Sequence, residues 1–212
     1  MSIFSRILRR GDVLIRKMYQ GDTLIYENPH APALYVSFVD PEVRRICLWR
    51  WDTDHDNQLS FADVAAVTDI GYQNGNFTFS TSSIQYFDEL QYFTGLTGVY
   101  TYDFRACTSL QHITLPPQIR NIGTGSFQDC TSLTEIVIPA SVQWIGNETF
   151  SGCTALSVYM ESPTPPVLNG PDPEGEYHIF YGVPHIYVPY GSVETYKAAA
   201  GWSNYASVIS SY

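Results

Sequence analysis

Basic residues are scarce in this chain of 212 residues, and their scarcity limits what it can bind. Eleven Lys and Arg stand against 21 Asp and Glu, so the formal net charge is −10. Affinity for nucleic acid depends largely on Lys and Arg that neutralise phosphates, so a broad DNA- or RNA-binding surface is excluded. The one basic stretch is an N-terminal arm, which we interpret as a solvated patch or as a segment that docks to an acidic partner or to the acidic body of the chain itself. The residues of this arm are Arg6, Arg9, Arg10, Arg16 and Lys17.

Long apolar runs are also lacking. The first ten residues contain no continuous apolar core of signal-peptide length, and no later stretch is long enough to cross a bilayer. The sequence therefore shows no signal peptide and predicts no membrane insertion.

Catalytic sequence motifs are missing as well. No glycine-rich phosphate loop of recognised spacing and no nucleophile elbow occur, and the five histidines fall in no catalytic motif. Catalysis requires several groups that converge on one pocket. We therefore predict that the protein is not an enzyme and has no catalytic residues.

Cysteines are few, and three of the four recur at intervals of 23 residues, namely Cys107, Cys130 and Cys153. Stacked positions keep their Cβ atoms about 4.8 Å apart, which is beyond the usual disulfide range, and thiols in a row do not converge on a tetrahedral metal. We predict buried, reduced thiols at these three positions and leave Cys47 open.

What the sequence does contain is a repeat. The pattern F-x-x-C-T-x-L-x-x-[IY] begins at Phe104, Phe127 and Phe150, with a period of 23 residues. Its second half alternates apolar residues and then reaches a proline, which predicts a short strand with one buried face. Because a single unit cannot enclose its apolar side chains, equivalent positions must stack about 4.8 Å apart in shared columns.

The same period, run backwards, predicts an earlier and more degenerate repeat. Phe87, Leu90, Tyr92 and Val99 would take the phases of the later apolar positions.

These motifs resemble the BspA-like leucine-rich-repeat proteins of bacterial cell surfaces over roughly residues 80–160. The segments I-Y-V-P from Ile186 and G-S-V-E-T-Y-K from Gly191 resemble that family's closing segment. The resemblance implies a mainly β solenoid of leucine-rich-repeat type. Because the last turn of a solenoid needs a cap, we assign that role to a C-terminal strand and a helix with Ser192 as its N-cap, and we predict a small α+β module before the repeats. The predicted divisions are an N-terminal module (1–78), the solenoid (79–160), and a Pro-rich insertion with the C-terminal cap (161–212).

The sheet face of such a solenoid is the predicted binding surface, because stacked repeats present extended surfaces suited to macromolecules. Strand alternation, applied at the 23-residue period, predicts eight outward side chains. They are Glu89, Gln91, His112, Thr114, Glu135, Val137, Val158 and Met160.

The N-terminal module begins with a hairpin signal. Residues 13–19 and 23–26 are apolar-rich runs on either side of Gln20-Gly21-Asp22. The segment I-x-K-x-Y-x-G-D-x-L-I-Y resembles hairpins in small structural proteins of bacterial viruses, which implies a virion component.

An acidic loop follows, with the pattern D-x-D-x-D-N-x-L-S-x-x-D. It resembles the calcium loop of EF-hand and dockerin-type repeats, since short oxygen ligands at this spacing can surround one hard cation. Asn57 replaces the glycine and Asp63 the closing glutamate of the EF-hand. The alternative is an acidic loop that caps the next helix without metal. The predicted calcium ligands are Asp52, Asp54, Asp56, Gln58, Ser60 and Asp63.

Three functions remain open on the sequence. The first is a non-enzymatic module for protein binding or cell adhesion on a bacterial surface, which the family resemblance implies. The second is a structural component of a phage particle, used in virion assembly or host attachment, in which the basic N-terminal arm would dock into the assembly. The third is calcium-dependent carbohydrate binding.

Overall fold

The structure, a computed structural model, describes residues 35–71, 78–170 and 178–212, together with the backbone of two N-terminal strands. The chain divides into two compact units, Met1–Val36 and Ser37–Tyr212. In the first unit, β1 (Lys17–Gln20) pairs antiparallel with β2 (Thr23–Glu27), and Gln20 lies opposite Thr23. This confirms the predicted hairpin over those strands, whereas the basic arm before Lys17 lies outside the described residues.

The described strands of the second unit are short and parallel, and its helices are few. In chain order its described strands are β3 (Tyr86–Phe87), β4 (Gly98–Val99), β5 (His112–Ile113), β6 (Asn121–Ile122), β7 (Glu135–Ile138), β8 (Trp144–Ile145), β9 (Ser157–Met160), β10 (Val167–Leu168), β11 (His185–Val188) and β12 (Ile209–Ser211). Its described helices are α1 (Pro41–Trp51), α2 (Phe61–Ala66) and α3 (Val193–Ala198), with 3₁₀ turns at Asp88–Tyr92 and Trp202–Tyr205.

The strands stack in parallel ladders along the repeats. One sheet has the order β12-β11-β9-β7, another has the order β10-β8-β6-β4, and β3 pairs with β5. All of these pairings are parallel, as stacked repeats require. The sheets are open, so the structure confirms stacked parallel strands and leaves the closed outline of a solenoid as a prediction.

A column of phenylalanine rings forms the centre of the stack. Phe104 and Phe127 lie 5.3 Å apart between ring centroids, and Phe127 and Phe150 lie 5.6 Å apart, with interplanar angles of 7° and 5°. The structure extends the predicted column in both directions, to Phe79 and Phe180. All five rings are buried. Equivalent side chains therefore share one interior, as the repeat pattern predicts.

The cysteines form a second buried column beside the rings. All four cysteines are buried and free, which confirms the prediction for the repeats and resolves Cys47. Each repeat thiol donates a hydrogen bond to the phenylalanine carbonyl of the preceding repeat. The Sγ–O distances are 3.0 Å for Cys107 and 3.1 Å for Cys130 and Cys153.

The 23-residue period fails at three steps of the strand ladder, one of which is the step from Ser157 to His185, where the Pro-rich insertion lengthens the interval to 28 residues. Phe87 lies opposite Ile113, 26 positions later, because the 3₁₀ turn Asp88–Tyr92 enlarges the first repeat. Ile136 lies opposite Val158, only 22 positions later. The phases predicted for Phe87 and Leu90 in the degenerate repeat are therefore wrong, whereas Val99 does lie opposite Ile122.

The helical segment at the start of the second unit packs on the first repeat. Asp40 is the N-cap of α1 and accepts hydrogen bonds from the N–H groups of Glu42 and Val43 at its own helix. Its second carboxylate oxygen accepts from the N–H groups of Gln85 and Tyr86 at β3. Burial by itself raises the pKa of Asp40, but these four donors outweigh burial and lower it. Residues 37–212 form one compact unit. The division between an N-terminal module and the solenoid at residue 78 stays a prediction.

The C-terminal strand and helix lie where the sequence predicts them, as β11 and α3. Ser192 is the N-cap of α3, although its hydroxyl makes no capping hydrogen bond. The Pro-rich insertion, which by its composition would be expected to be a loop, contains β10, and the indole N–H of buried Trp202 donates to the Pro166 carbonyl at 2.8 Å. Residues 171–177 of that insertion lie outside the described residues. Within the described part of the chain, no helix has the length and apolar character needed to cross a membrane.

Candidate functional site

The outer face of the strand stack is the candidate functional site. Strand alternation points one set of side chains away from the phenylalanine column, and parallel register places them in two rows. We call these two rows the outer face. The first row is Tyr86, His112, Glu135, Ser157 and His185, and the second row is Asp88, Thr114, Val137, Tyr159 and Tyr187.

Four of the eight residues predicted to face outwards lie on this face, at His112, Thr114, Glu135 and Val137. Three others are buried, and for Glu89, Val158 and Met160 the prediction of exposure is wrong. Val158 and Met160 point inwards because the strand in their repeat comes one residue early, so that Ser157 and Tyr159 take the outer positions.

The two predicted residues of the degenerate repeat, Glu89 and Gln91, lie in the 3₁₀ turn instead of a strand. Glu89 accepts a hydrogen bond from the N–H of Val39 at 2.7 Å and so joins the N-terminal segment to this turn. Gln91 is half-buried and donates through its amide to the Asp88 carbonyl. Neither residue belongs to the outer face.

A groove of about 280 Å³ lies on the outer face at the ends of β5, β7 and β9. Its floor is formed by strand residues, and its rim by the prolines and the glutamate that follow the strands. The lining includes His112, Thr114, Glu135, Val137, Pro117, Pro139 and Glu161. All four correctly predicted outward residues therefore line a single groove.

The groove is polar along one side. The Thr114 hydroxyl donates to Asp88 at 2.7 Å. The His112 ring lies between two carboxylates, with Nδ1 3.8 Å from Asp88 and Nε2 4.0 Å from Glu135. Lys and Arg do not occur among the lining residues, and two carboxylates, those of Glu135 and Glu161, line the groove.

Tyrosine side chains continue the outer face beyond the groove. Tyr159 and Tyr187 stack with ring centroids 4.9 Å apart, and Tyr212 meets Tyr159 edge-on at 6.1 Å. His185 stacks on Tyr187 at 5.9 Å. We call these four residues the aromatic row. Sequence reasoning missed them. The alternation Leu156, Val158, Met160 could have revealed Tyr159, and the alternation of Ile186 and Val188 could have revealed Tyr187, whereas no repeat motif marks Tyr212.

The acidic loop brings together half of its predicted calcium ligands. One oxygen each of Asp52, Asp54 and Asp56 lie within 4.8 Å of one another. Asn57 has a φ of 61°, the left-handed conformation that the EF-hand assigns to glycine. One carboxylate oxygen of Asp52 is buried without a hydrogen-bond partner among the described residues, so the donor set fits a hard cation.

The remaining predicted ligands take part in hydrogen bonds with backbone N–H groups in this structure. Ser60 is the N-cap of α2, and its hydroxyl accepts from the Asp63 N–H while Asp63 accepts from the Ser60 N–H at 2.8 Å. This capping box is the metal-free alternative stated from the sequence. The N–H of Gln58 donates to Asp56. The calcium site remains a prediction.

A buried carboxyl group lies at the start of the repeat stack. Asp103 occupies the interior position taken by Ser126 and Thr149 in the next two repeats, and it is fully buried. It accepts a hydrogen bond from the Tyr100 N–H at 2.7 Å. Burial raises the pKa of Asp103 to about 7, nearby Asp69 adds to the rise, and Arg50 opposes it.

Known proteins support the repeat interpretation. Residues 67–163 match the family model of the BspA type leucine rich repeat region, in six copies. The match begins after the acidic loop and the hairpin, so it includes neither. No curated protein matches the chain.

Two solved structures of leucine-rich repeat proteins resemble the chain. One, from Bacteroides ovatus ATCC 8483, is 21% identical over 69% of this chain and 35% of its own, with a TM-score of 0.44. The other, from T. pallidum, is 24% identical over 48% of this chain and 50% of its own, with a TM-score of 0.33. This chain thus spans about a third of the first protein's length and half of the second's.

Proposed function

We propose that the chain is a non-enzymatic module whose repeats form a solenoid and whose outer face binds a protein at a bacterial cell surface. The observation that carries the proposal is the continuity of the outer face, on which the aromatic row follows the groove along neighbouring parallel strands. The match to the BspA type repeat region supports it, because that family's repeats are typical of surface proteins that bind other proteins or cells.

The chemistry of the outer face is that of a protein contact. Tyrosine supplies a large apolar area together with a hydroxyl group, and it is enriched at protein interfaces and their energetic centres. Tyr159 and Tyr187 are already ordered by stacking on each other, so little side-chain entropy is lost when they are covered. Val137, 46% exposed, adds an apolar contact beside them.

The test is a comparison of two pairs of substitutions against partners found in a screen of purified cell-surface and extracellular proteins. Tyr159→Ala with Tyr187→Ala removes the centre of the aromatic row. Tyr100→Ala with Tyr190→Ala removes two exposed tyrosines outside the outer face and is the matched control. We expect the first pair to raise the Kd by tenfold or more, which corresponds to a loss of about 1.4 kcal/mol in binding free energy. The control pair should leave the Kd unchanged. Equal effects of the two pairs would overturn the proposal.

The other two functions remain predictions with less support. The hairpin β1–β2 is compatible with a phage structural protein but is too short to distinguish it from other hairpins. Calcium-dependent carbohydrate binding requires both a filled acidic loop and a sugar site, and the acidic loop is not part of the outer face.

A further inference from the structure

We propose that the groove of the outer face takes a lysine or arginine side chain from an extended segment of the partner protein. This inference rests on the protein-binding function proposed above. It assigns to the groove a ligand chemistry that differs from the apolar contact made by the aromatic row.

The charge of the groove selects a cation. Glu135 and Glu161 line it together, and among the described residues neither forms an ion pair with Lys or Arg. Residues 78–170 carry seven acidic side chains and only two basic ones, Arg105 and Arg120, neither of which lines the groove. A cation that enters the groove therefore meets no lysine or arginine side chain and finds two carboxylates that neither residue type occupies.

The apolar part of the groove fits the stem of such a side chain. Val137, Pro117 and Pro139 provide carbon surface between the carboxylates, and the prolines hold the rim in one conformation. Lys and Arg bury their methylene groups along apolar surface while the charged head pairs with carboxylates. At about 280 Å³ the groove lies below the usual size of a small-molecule pocket, and it suits one or two side chains.

The neighbouring surface requires the cation to be part of a longer segment. The aromatic row begins at the edge of the groove, where Tyr159 lies beside Val137. An extended segment that crosses the strands can place a basic residue in the groove and an apolar residue against Tyr159 and Tyr187. A free polyamine would satisfy the carboxylates but would leave the aromatic row uncovered.

The inference can be tested with the full chain and a labelled peptide of sequence Val-Lys-Val-Lys-Val-Lys, by fluorescence anisotropy at low salt. Glu135→Gln with Glu161→Gln removes the carboxylates of the groove. Asp129→Asn with Glu194→Gln removes two exposed carboxylates elsewhere and keeps the net charge of the two variants equal. We expect the groove variant to bind the peptide at least about fivefold more weakly and the control variant to change affinity by less than about twofold. A peptide with acetylated lysines should lose binding.

Three results would overturn the inference. One is an equal loss in both variants, which shows attraction to overall charge. Another is undiminished binding of the acetylated peptide. The third is no binding of the peptide up to about 1 mM. Failure here leaves the proposed function intact if Tyr159→Ala with Tyr187→Ala still abolishes binding of a protein partner, so the two proposals fail separately.

Discussion

The thiol of Cys130 donates a hydrogen bond to the backbone carbonyl of Phe104, one repeat earlier, over an Sγ–O distance of 3.1 Å. The thiol of Cys153 makes the same hydrogen bond to the carbonyl of Phe127. The cysteine of each repeat thus gives a second hydrogen bond to a carbonyl that already accepts from a backbone N–H of its own repeat, in addition to filling space beside the phenylalanine column. The role explains why a residue with a small, weakly polar side chain suits this position.

Buried thiols in this arrangement should be chemically inert. Burial raises the pKa of Cys107 to about 11 and that of Cys153 to about 12, and it raises the pKa of Cys130 as well. The thiolate, which is the reactive form, is therefore nearly absent at neutral pH. We expect no reaction of the folded protein with a disulfide reagent such as Ellman's reagent, and reaction of all four thiols after unfolding in guanidinium chloride. A repeat cysteine that reacts in the folded protein as fast as a free thiol would contradict the ladder.

Phe127 lies in the middle of the phenylalanine column and should be a main source of stability. Replacing it with alanine removes a buried ring that contacts two other rings, and we expect a loss of about 3–5 kcal/mol in the free energy of unfolding. Tyr190, 91% exposed, is the control, since Tyr190→Ala should change stability by less than about 0.5 kcal/mol. Urea denaturation measures both. Similar values for the two variants would show that the rings do not form a shared interior.

Asp103 should make the stability of the fold depend on pH between about 4 and 7. Its pKa is raised from 3.8 to about 7 in the folded protein, so the folded state keeps a proton that the unfolded chain releases in this range. The unfolded state binds fewer protons, and stability therefore falls as pH rises through the window. Asp103→Asn keeps an acceptor for the Tyr100 N–H without the charge.

Urea denaturation at pH 5 and pH 8 tests this prediction. From pH 5 to pH 8, the free energy of unfolding of Asp103→Asn should rise by about 1–3 kcal/mol relative to that of wild type. The control, Asp129→Asn, replaces an exposed carboxylate and should run parallel to wild type. Parallel behaviour of Asp103→Asn and wild type would show that Asp103 is not held in its neutral form.

Calcium should stabilise the protein if the acidic loop binds it. A ligand that binds only the folded state raises stability by mass action, and therefore raises the Tm. We expect the Tm to rise with added calcium and to return on addition of a chelator, and Asp54→Asn with Asp56→Asn to abolish the rise. These two residues are chosen because Asp54 and Asp56 are exposed, whereas Asp52 is half-buried. A Tm that does not depend on calcium would favour the capping-box interpretation of the loop.

The outer face shows how far sequence reasoning reaches and where it stops. His112, Thr114, Glu135 and Val137 are correctly placed because these repeats keep the 23-residue period at their strands. The next strand pairs 22 residues later instead of 23. Ser157 and Tyr159 therefore take the outward positions predicted for Val158 and Met160. A shift of one residue reverses every side chain of a strand. In that repeat the local alternation of apolar residues predicts the inward side chains better than the 23-residue period does, because apolar side chains are the ones that become buried.

The sequence by itself determined the stacked repeats, the phenylalanine and cysteine columns, and the strand and helix near the C-terminus. Each of these depends on which side chains are apolar and at what spacing, and those are properties of the chain alone. Only the tertiary structure decided the position of Phe79 and Phe180 in the column, the attachment of Asp40 to β3, and the meeting of Tyr159 with Tyr187 and Tyr212. These contacts join residues across insertions of irregular length, and their geometry arises only when the repeats pack against one another.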